Sequence, residues 1–433
     1  MAKFLDLDEL SDDERMLKEE VHRFAKEVIR PASIELDRMP PEERIKPDSP
    51  YFEVVKQMKK LGYHKMLLPE DMGGLGLSPL QISIVFEELA WGSLGFATSL
   101  GVDMIPFSCA ALFGLPELYE EVVVPWLEDD KGKYHGCWCV TEPAHGSDYE
   151  LFLRDENVDK YGKPDITAEK DGDEWVITGQ KSAWVSSAPV ATHGGVHVPI
   201  KGAKRLSDAI FCIVPLDEKH GVKKGKPSDM LGMRDDPQGE LFFDNVRIPE
   251  HYVVVAPGPF YGIFCDQLVC MTSCGMGAYG VGLARAAFEE ALNYARQRVQ
   301  GGEPLIKHKN IKLKLYEMFE KIETARYYVR KVSEHVFSRM TRRTNDASPR
   351  HAKTAQIYGK RIAFEVAHEA LQIFGAYGLS KEFIIEKLFR DARCMIIEDF
   401  TLEVLGLEVA ADVIDNYEKD YYDVEHINRL YSG

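Results

Sequence analysis

One stretch reads Cys137-Trp138-Cys139-Val140-Thr141-Glu142-Pro143-Ala144-His145-Gly146-Ser147-Asp148. A short run of strand character meets a proline and a cluster of small polar residues, so a strand ends here in a turn. The turn exposes hydroxyls and backbone N–H groups. That suits a planar, acceptor-rich ligand held by short polar contacts, although a plain strand-to-loop junction would look the same. The stretch is also a border: before it the apolar spacing is helical, after it strand-like, and helices return well over a hundred residues later.

On the N-terminal side, Asp12-Asp13-Glu14 open an amphipathic helix carrying Met16, Val21, Phe24 and Val28, which is expected to stop near Pro31. Pro40-Pro41 form a link, and a second helix covers Tyr51–Leu61. The Gly-rich Met66–Pro79 segment reads as a loop, with Ser78-Pro79 starting the next helix. On the C-terminal side, Asp173–Ser187, His197–Ile200, Asp208–Leu216 and Gly239–Pro249 are β-branched and aromatic runs divided by Gly, Pro and Asp. They predict an antiparallel β domain. Leu151–Asp173 is charged and poor in apolar residues, and reads as an inserted surface loop.

From Met276 the period is helical again, with Val281, Ala284, Phe288, Ala291 and Ala295 on one stripe. Further helices are expected over Ile311–Val336 and Ala352–Phe374, the latter capped by Gly375. Ile384, Leu388, Ala392 and Met395 keep helical spacing and supply a fourth member. The fold class is therefore α+β: a helical domain over 1–136, a barrel-like antiparallel β domain over 137–256, and a four-helix bundle over 257–433.

Bulk properties bound the function. A chain of 433 residues predicts two or three domains. The net charge of −17 argues against nucleic acid as partner. No apolar run looks long enough to span a membrane, and the acidic start lacks a signal or transit pattern, which predicts a cytoplasmic protein. Eight cysteines in a chain this long do not suggest a disulfide framework. Neither Cys137/Cys139 nor Cys265/Cys270/Cys274 has zinc spacing, and no metal is expected.

Near the end, Glu398 and Asp399 follow the apolar pair Ile396-Ile397 and precede Phe400. A carboxylate among apolar side chains has a raised pKa and makes a stronger base once ionised. Solvated acids at a helix end are the other reading. Adjacent residues diverge on helices and strands alike, so at most one of the two is expected to face a shared pocket.

Four more segments follow the Trp138–Asp148 motif in order: Gly179-Gln180-Lys181 with Trp184-Val185-Ser186; Leu231-Gly232-Met233-Arg234 before Phe243–Pro249; Tyr294–Arg298 with Gly301–Leu305; and Glu369–Gly378 leading into Arg390-Asp391-Ala392-Arg393. Together they resemble the acyl-CoA dehydrogenase family of flavoproteins over nearly the whole chain. The resemblance implies FAD between the middle domain and the bundle, usually in a homotetramer. Trp138, Val140, Thr141, Trp184 and Ser186 would line the flavin; one extra residue between Lys181 and Trp184 leaves that register open by about one position. Arg298 would bind the FAD pyrophosphate, a suitable task for a forked cation. Gln372 and Gly375 would contact the adenosine half of a flavin held mainly by another subunit, and Thr401 and Glu403 would close over the cofactor. Ser147 matches a position that often touches the CoA chain.

In the family, the arginine-rich segment leads at fixed spacing to Tyr/Phe-Glu-Gly-Thr, whose Glu is the catalytic base. A gap-free alignment puts that position on Asp399, with Phe400 for the Gly and Thr401 kept; a one-residue shift would choose Glu398 and misplace Thr401. A second branch carries its base near Thr272, where this chain has no acid. An arginine often found at Ser273 is missing too. Aspartate is one methylene shorter than glutamate, which favours a substrate whose α-carbon sits closer to the backbone. Branches with this base act on alicyclic carboxyl-CoA thioesters.

Asp103, in the otherwise apolar Gly95–Met104 run, is a candidate second acid facing such a ring and permitting 1,4-dehydrogenation; a helix cap or solvent-facing residue is the alternative. The activity implied is dehydrogenation of an acyl-CoA to its enoyl-CoA: Asp399 removes the α-proton, flavin accepts hydride, and an electron-transferring flavoprotein takes the electrons. Straight- or branched-chain substrates, an oxidase, a decarboxylating dehydrogenase and a catalytically silent acyl-CoA- or flavin-binding homologue are the rivals.

Overall fold

Ser11 begins the fold by forming a capping box with Glu14 at the start of α1 (Asp12–Phe24). The computed structural model describes residues 7–148, 163–205, 207–341, 344 and 346–421. The first helical segment does not stop at Pro31, as expected. Ala25–Ile29 make a π turn and α2 (Arg30–Arg38) continues, with Pro31 in its first turn. A prolyl ring inside an α-helix clashes with the carbonyl four residues back, here that of Glu27, and the wider turn relieves the clash. There follow α3 (Pro41–Arg44), α4 (Pro50–Lys60), α5 (Pro79–Gly92) and α6 (Leu94–Phe113). Contrary to the sequence reading, α6 is long and apolar enough to cross a membrane by length and composition. Of its apolar window 78% is buried inside the protein, the behaviour of a core helix.

The middle of the chain forms two four-stranded sheets. The strands are β1 (Gly136–Cys139), β2 (Ile166–Asp171), β3 (Glu174–Ser186), β4 (His193–Pro199), β5 (Ala209–Pro215), β6 (Val222–Lys224), β7 (Gln238–Pro249) and β8 (Val253–Val255). One sheet runs β1-β4-β5-β8 and the other β2-β3-β7-β6. The expectation of purely antiparallel strands needs one correction: β1 pairs parallel with β4, Cys139 opposite Val196. The other pairs within these sheets are antiparallel. A second correction concerns the expected Leu151–Asp173 loop, of which 151–162 lie outside the described residues. Ile166–Asp171 is an edge strand, with Ile166 and Ala168 turned inward and a charged outer end. Two inward apolar residues are too few to register as a strand pattern.

The chain then returns to helix over Pro259–Gln297, Lys309–Thr341, Pro349–Phe374, Ile385–Met395 and Leu402–Tyr421. The first and second are joined by a hairpin whose tip, Gly301-Gly302, has φ of 65° and 89°. The long first helix packs on the third through glycines. A Cβ on Gly280 would lie 2.3 Å from the carbonyl oxygen of Gly359, so only the bare backbone permits this approach.

The long helix also packs against α5, where the core is ionic. Arg285 donates to Glu87 and Glu88, 2.7 Å from an oxygen of each, while Arg326 and Arg330 complete the shell of Glu87. Burial opposes ionisation of Glu88, but Arg285 and a hydrogen bond with His22 overcome it and hold the carboxyl down at about 2. Removing one partner from such a cluster strands a buried charge. Arg285→Met is expected to cost about 3–5 kcal/mol in urea unfolding, and adding Glu88→Gln should restore part of that loss.

Candidate active site

The apolar face of α6 sets one wall of a cavity of about 650 Å³. Thr98, Gly101, Val102 and Ile105 recur at helical spacing along that wall, with Met104 beside them. Met271, Thr272, Gly275, Met276 and Tyr279 of the long helix form a second wall. Trp138, Val140 and Thr141 at the end of β1, with Trp184 and Ser186 of β3, form a third. Cys394 and Ile397–Phe400 close it off.

The last of these segments is held in an uncommon backbone state. Asp399 and Phe400 have φ of 49° and 67°, the left-handed region that β-carbons disfavour. Lys360 compensates. Its buried ammonium donates to the carbonyls of Glu398, Asp399 (2.9 Å) and Phe400 (3.1 Å) in succession. The Gln356 side-chain amide donates hydrogen bonds to the Asp399 carbonyl (2.6 Å) and to its carboxylate (2.9 Å). Gln356 is itself aimed by Ser273, whose hydroxyl donates to its carbonyl at 2.7 Å. At the far end, the Thr401 N–H donates to Ser147 (3.0 Å), tying this loop to the turn after β1. Thr401 then accepts from the Val404 N–H, capping the last helix.

Because the two residues are left-handed, both acids line the cavity, which corrects the expectation that at most one would. They face different neighbours. Asp399 is turned to the helices; burial raises its pKa, against the pull of Lys360 and Gln356. Glu398 is turned to the β domain, accepting from the Gln238 amide at 3.1 Å, and its second oxygen is buried without a partner. Burial pushes Glu398 up to about 7. Asp236, sharing Gln238, lies well above its ordinary value through burial and the nearby Glu398 carboxylate. Burial also lowers Lys360 to about 8, against the attraction of Asp399 and Glu398.

Of the residues expected from sequence, Trp138, Val140, Thr141, Ser147, Trp184, Ser186, Asp399 and Phe400 share this cavity. The uncertain register around Trp184 has a structural cause. Lys181 pairs with Leu241 but Val185 with Gly239, so β3 bulges between them. The bulge leaves Trp184 63% exposed at the cavity. Glu403 is exposed and Thr401 caps a helix; neither lines the cavity. Arg298, Gln372 and Gly375 do not line it either. Gln372 and Gly375 lie on the surface, and the Arg298 guanidinium sits 5.4 Å from the ring of Tyr377.

Asp103 is corrected outright. At about 100° per residue it points some 140° away from Thr98. It accepts from the Gly136 N–H (2.7 Å) and the Trp126 indole (3.3 Å), with buried Lys59 3.5 Å away. It is an interior ion-pair residue and cannot serve a ring in the cavity. Sequence reasoning missed Gln238, Gln356, Lys360 and Tyr279. Gln356 and Lys360 left a trace, as polar residues four apart in a helix whose other buried positions are mostly small or apolar.

A flavin fits the donor set of the β-domain wall. Trp184 offers an uncovered aromatic face, and Thr141 and Ser186 offer hydroxyls on the same wall. Among the described residues, no group of three or more His, Cys, Asp or Glu could hold a metal ion.

Family models describe the chain in three parts: acyl-CoA dehydrogenase N-terminal domain over 11–129, middle domain over 137–246 and C-terminal domain over 271–414. The short-chain specific acyl-CoA dehydrogenase of Rattus norvegicus mitochondria is 28% identical over 94% of this chain and 92% of its own. Benzylmalonyl-CoA dehydrogenase of Aromatoleum aromaticum is 28% identical over 94% and 99%. The butyryl-CoA dehydrogenase structure from Megasphaera elsdenii superposes with a TM-score of 0.80 at 25% identity, covering 94% of this chain and all of that one.

The raised Glu398 carboxyl has a consequence for stability. Its folded value of about 7 exceeds the ordinary 4.5, so its contribution is present below pH 4.5 and is lost as pH rises toward 7. Glu398→Gln removes this loss. The Tm difference between variant and wild type is expected to grow in the variant's favour across that window in a pH series of thermal melts.

Proposed function

The chain belongs to the acyl-CoA dehydrogenase family, whose members are FAD-dependent oxidoreductases, and from that premise we propose that it oxidises a cyclic carboxyl-CoA thioester to its enoyl-CoA, with Asp399 as base. One observation carries the reading: two successive left-handed residues direct an acid and an aromatic ring into one cavity. The Phe400 ring meets Trp138 edge-on at 6.4 Å, so a flat-sided corner stands beside the carboxylate. Family members with a glycine at this position leave that space open. Filling it disfavours a flexible chain and suits a ring whose α-carbon approaches the shorter aspartate.

Asp399 would take the α-proton. Its raised pKa brings it closer to that task than an ordinary carboxylate, and Gln356 keeps it aimed. Bound FAD supplies the hydride acceptor. Val140, Thr141, Trp184 and Ser186 would hold its ring system. Arg298, Gln372 and Gly375, on another face, would grip the far end of a cofactor seated in a second copy, which supports a homotetramer as the working form. An electron-transferring flavoprotein is the proposed electron acceptor. Benzylmalonyl-CoA dehydrogenase among the relatives supports a ring-bearing substrate from alicyclic or aromatic acid breakdown. The short-chain enzymes among them support a small linear ester instead.

The purified protein is expected to be yellow with about one FAD per chain; a colourless preparation that takes up no FAD on reconstitution would sink the assignment. Asp399→Asn should keep flavin and ligand binding while losing turnover by about 10³-fold or more, and Glu398→Gln should retain far more activity. The reverse pattern would move the base to Glu398. Comparing kcat/KM for cyclohexane- and cyclohexene-carboxyl-CoA with butyryl- and octanoyl-CoA tests the ring: a preference for either linear ester refutes it.

A further inference from the structure

Strand β4 carries an imidazole into the layer where a sheet packs on helices. His197 is 2% exposed. It lies opposite Phe211 of β5 and two residues beyond Gly195, the β4 partner of Trp138, so Trp138, His197 and Phe211 share one face of the sheet. Val196 and Val198, on the other face, fill the core of the β domain. The rings of Phe211 and Phe264 pack against the imidazole at 4.8 and 6.3 Å. Burial holds its pKa well below the ordinary imidazole value, so the ring is neutral.

A neutral imidazole has one N–H and one acceptor nitrogen. The Trp138 indole only donates, and it lies 3.0 Å from Nε2. Nε2 therefore accepts, and the proton sits on Nδ1, which donates to the Tyr261 hydroxyl at 2.7 Å. Tyr261 is fully buried in the first turn of the Pro259–Gln297 helix. The chain from Trp138 through His197 to Tyr261 thus runs in one direction, from the cavity wall across the sheet to the helix that forms another wall. An apolar residue at 197 would fill the space between Phe211 and Phe264 without needing two partners. What the imidazole adds is a fixed direction for the Trp138 N–H. The half-buried indole is the turnable half of the corner, because Phe400, which it meets at 83°, is already set by the Lys360 contacts to its own loop. We propose that His197 sets the acyl selectivity of the cavity by holding the Trp138 indole at one angle to Phe400, with Tyr261 fixing its tautomer. His197 does not itself line the cavity; it is a positioning residue. The proposal rests on reading the cavity as the acyl-CoA site and names what keeps its corner rigid.

The test is a double-mutant cycle on one ratio, kcat/KM for cyclohexanecarboxyl-CoA over that for butyryl-CoA. It compares the wild type, Trp138→Phe, His197→Phe and the pair, each shown to carry flavin. His197→Phe keeps a ring between Phe211 and Phe264 but leaves the indole no acceptor, and the ratio should move about fivefold or more. In the Trp138→Phe background the same substitution should move it by less than about twofold, because no indole is left to hold. His197→Gln, whose amide oxygen can stand where Nε2 accepts, should return the ratio to within about twofold of wild type. An ultraviolet resonance Raman difference spectrum, wild type minus Trp138→Phe, should show a hydrogen-bonded indole that His197→Phe frees and His197→Gln restores. An unchanged ratio in His197→Phe overturns the proposal. So does a change that persists undiminished in the Trp138→Phe background, which marks a structural role alone. If His197→Phe carries no flavin, Tyr261→Phe takes its place in the cycle, with the same outcomes deciding. A wild-type preference for butyryl-CoA refutes the ring reading separately, since the cycle reads how far the ratio moves and not which ester it favours. If neither ester is turned over, the ratio is read as Kd by calorimetry on the flavin-loaded protein.

Discussion

One buried ammonium holds the site in shape. Lys360 reaches from the middle of a helix to three consecutive carbonyls at Glu398, Asp399 and Phe400. Two successive left-handed residues with side chains store strain that surrounding contacts must over-determine. Burying the ammonium is itself unfavourable, as its lowered pKa shows. The carbonyl dipoles and the two nearby carboxyls offset that cost. Lysine, loop and acids are therefore one electrostatic unit: each charge is tolerated because the others are present.

The same dependence explains why both acids reach the cavity. The expectation that only one could do so assumed a regular helix or strand, where neighbours diverge. In the left-handed turn the geometry differs, and Glu398 and Asp399 face opposite sides of one space. Asp399 meets the helical wall and Glu398 the β-domain wall. Such a turn has no signature in sequence when glycine is absent, because residue preference argues against it.

Much of the fold was readable because its patterns are long. Helices of 26 and 33 residues and a 13-residue strand repeat their periods often enough to stand out. The long Pro259–Gln297 helix is legible only from Met276, because its earlier part is buried on several sides and shows no single apolar stripe. The failures were short or compensated features. Two inward residues did not reveal β2, and a π turn carried the first helical segment past a proline. For the site, ordered motifs led to the residues at the end of β1 and on β3. Residues acting through others, such as Gln356 and Gln238, belong to no motif because their role depends on tertiary distance alone. Asp103 shows the converse error. Its segment does line the cavity, but helix phase turns this one side chain toward Lys59.

The ionic core and the cavity are linked by the long helix. Toward its C-terminal half the helix presents Arg285 to the paired glutamates of α5. About two to three turns earlier it presents Tyr279 and Gly275 to the cavity, and just before them Ser273 to the Gln356 brace. Its glycine contact with the Pro349–Phe374 helix brings the backbones close enough for Ser273 to reach Gln356, which with Lys360 of that same helix spans the gap to the loop. Side-chain reach decides the matter. Had a Cβ at Gly280 or Gly359 pushed the helices apart, Ser273 would lose Gln356, and the brace on Asp399 would loosen with no change in the acid itself. The placement of the base thus depends on helix packing more than a full turn away from it.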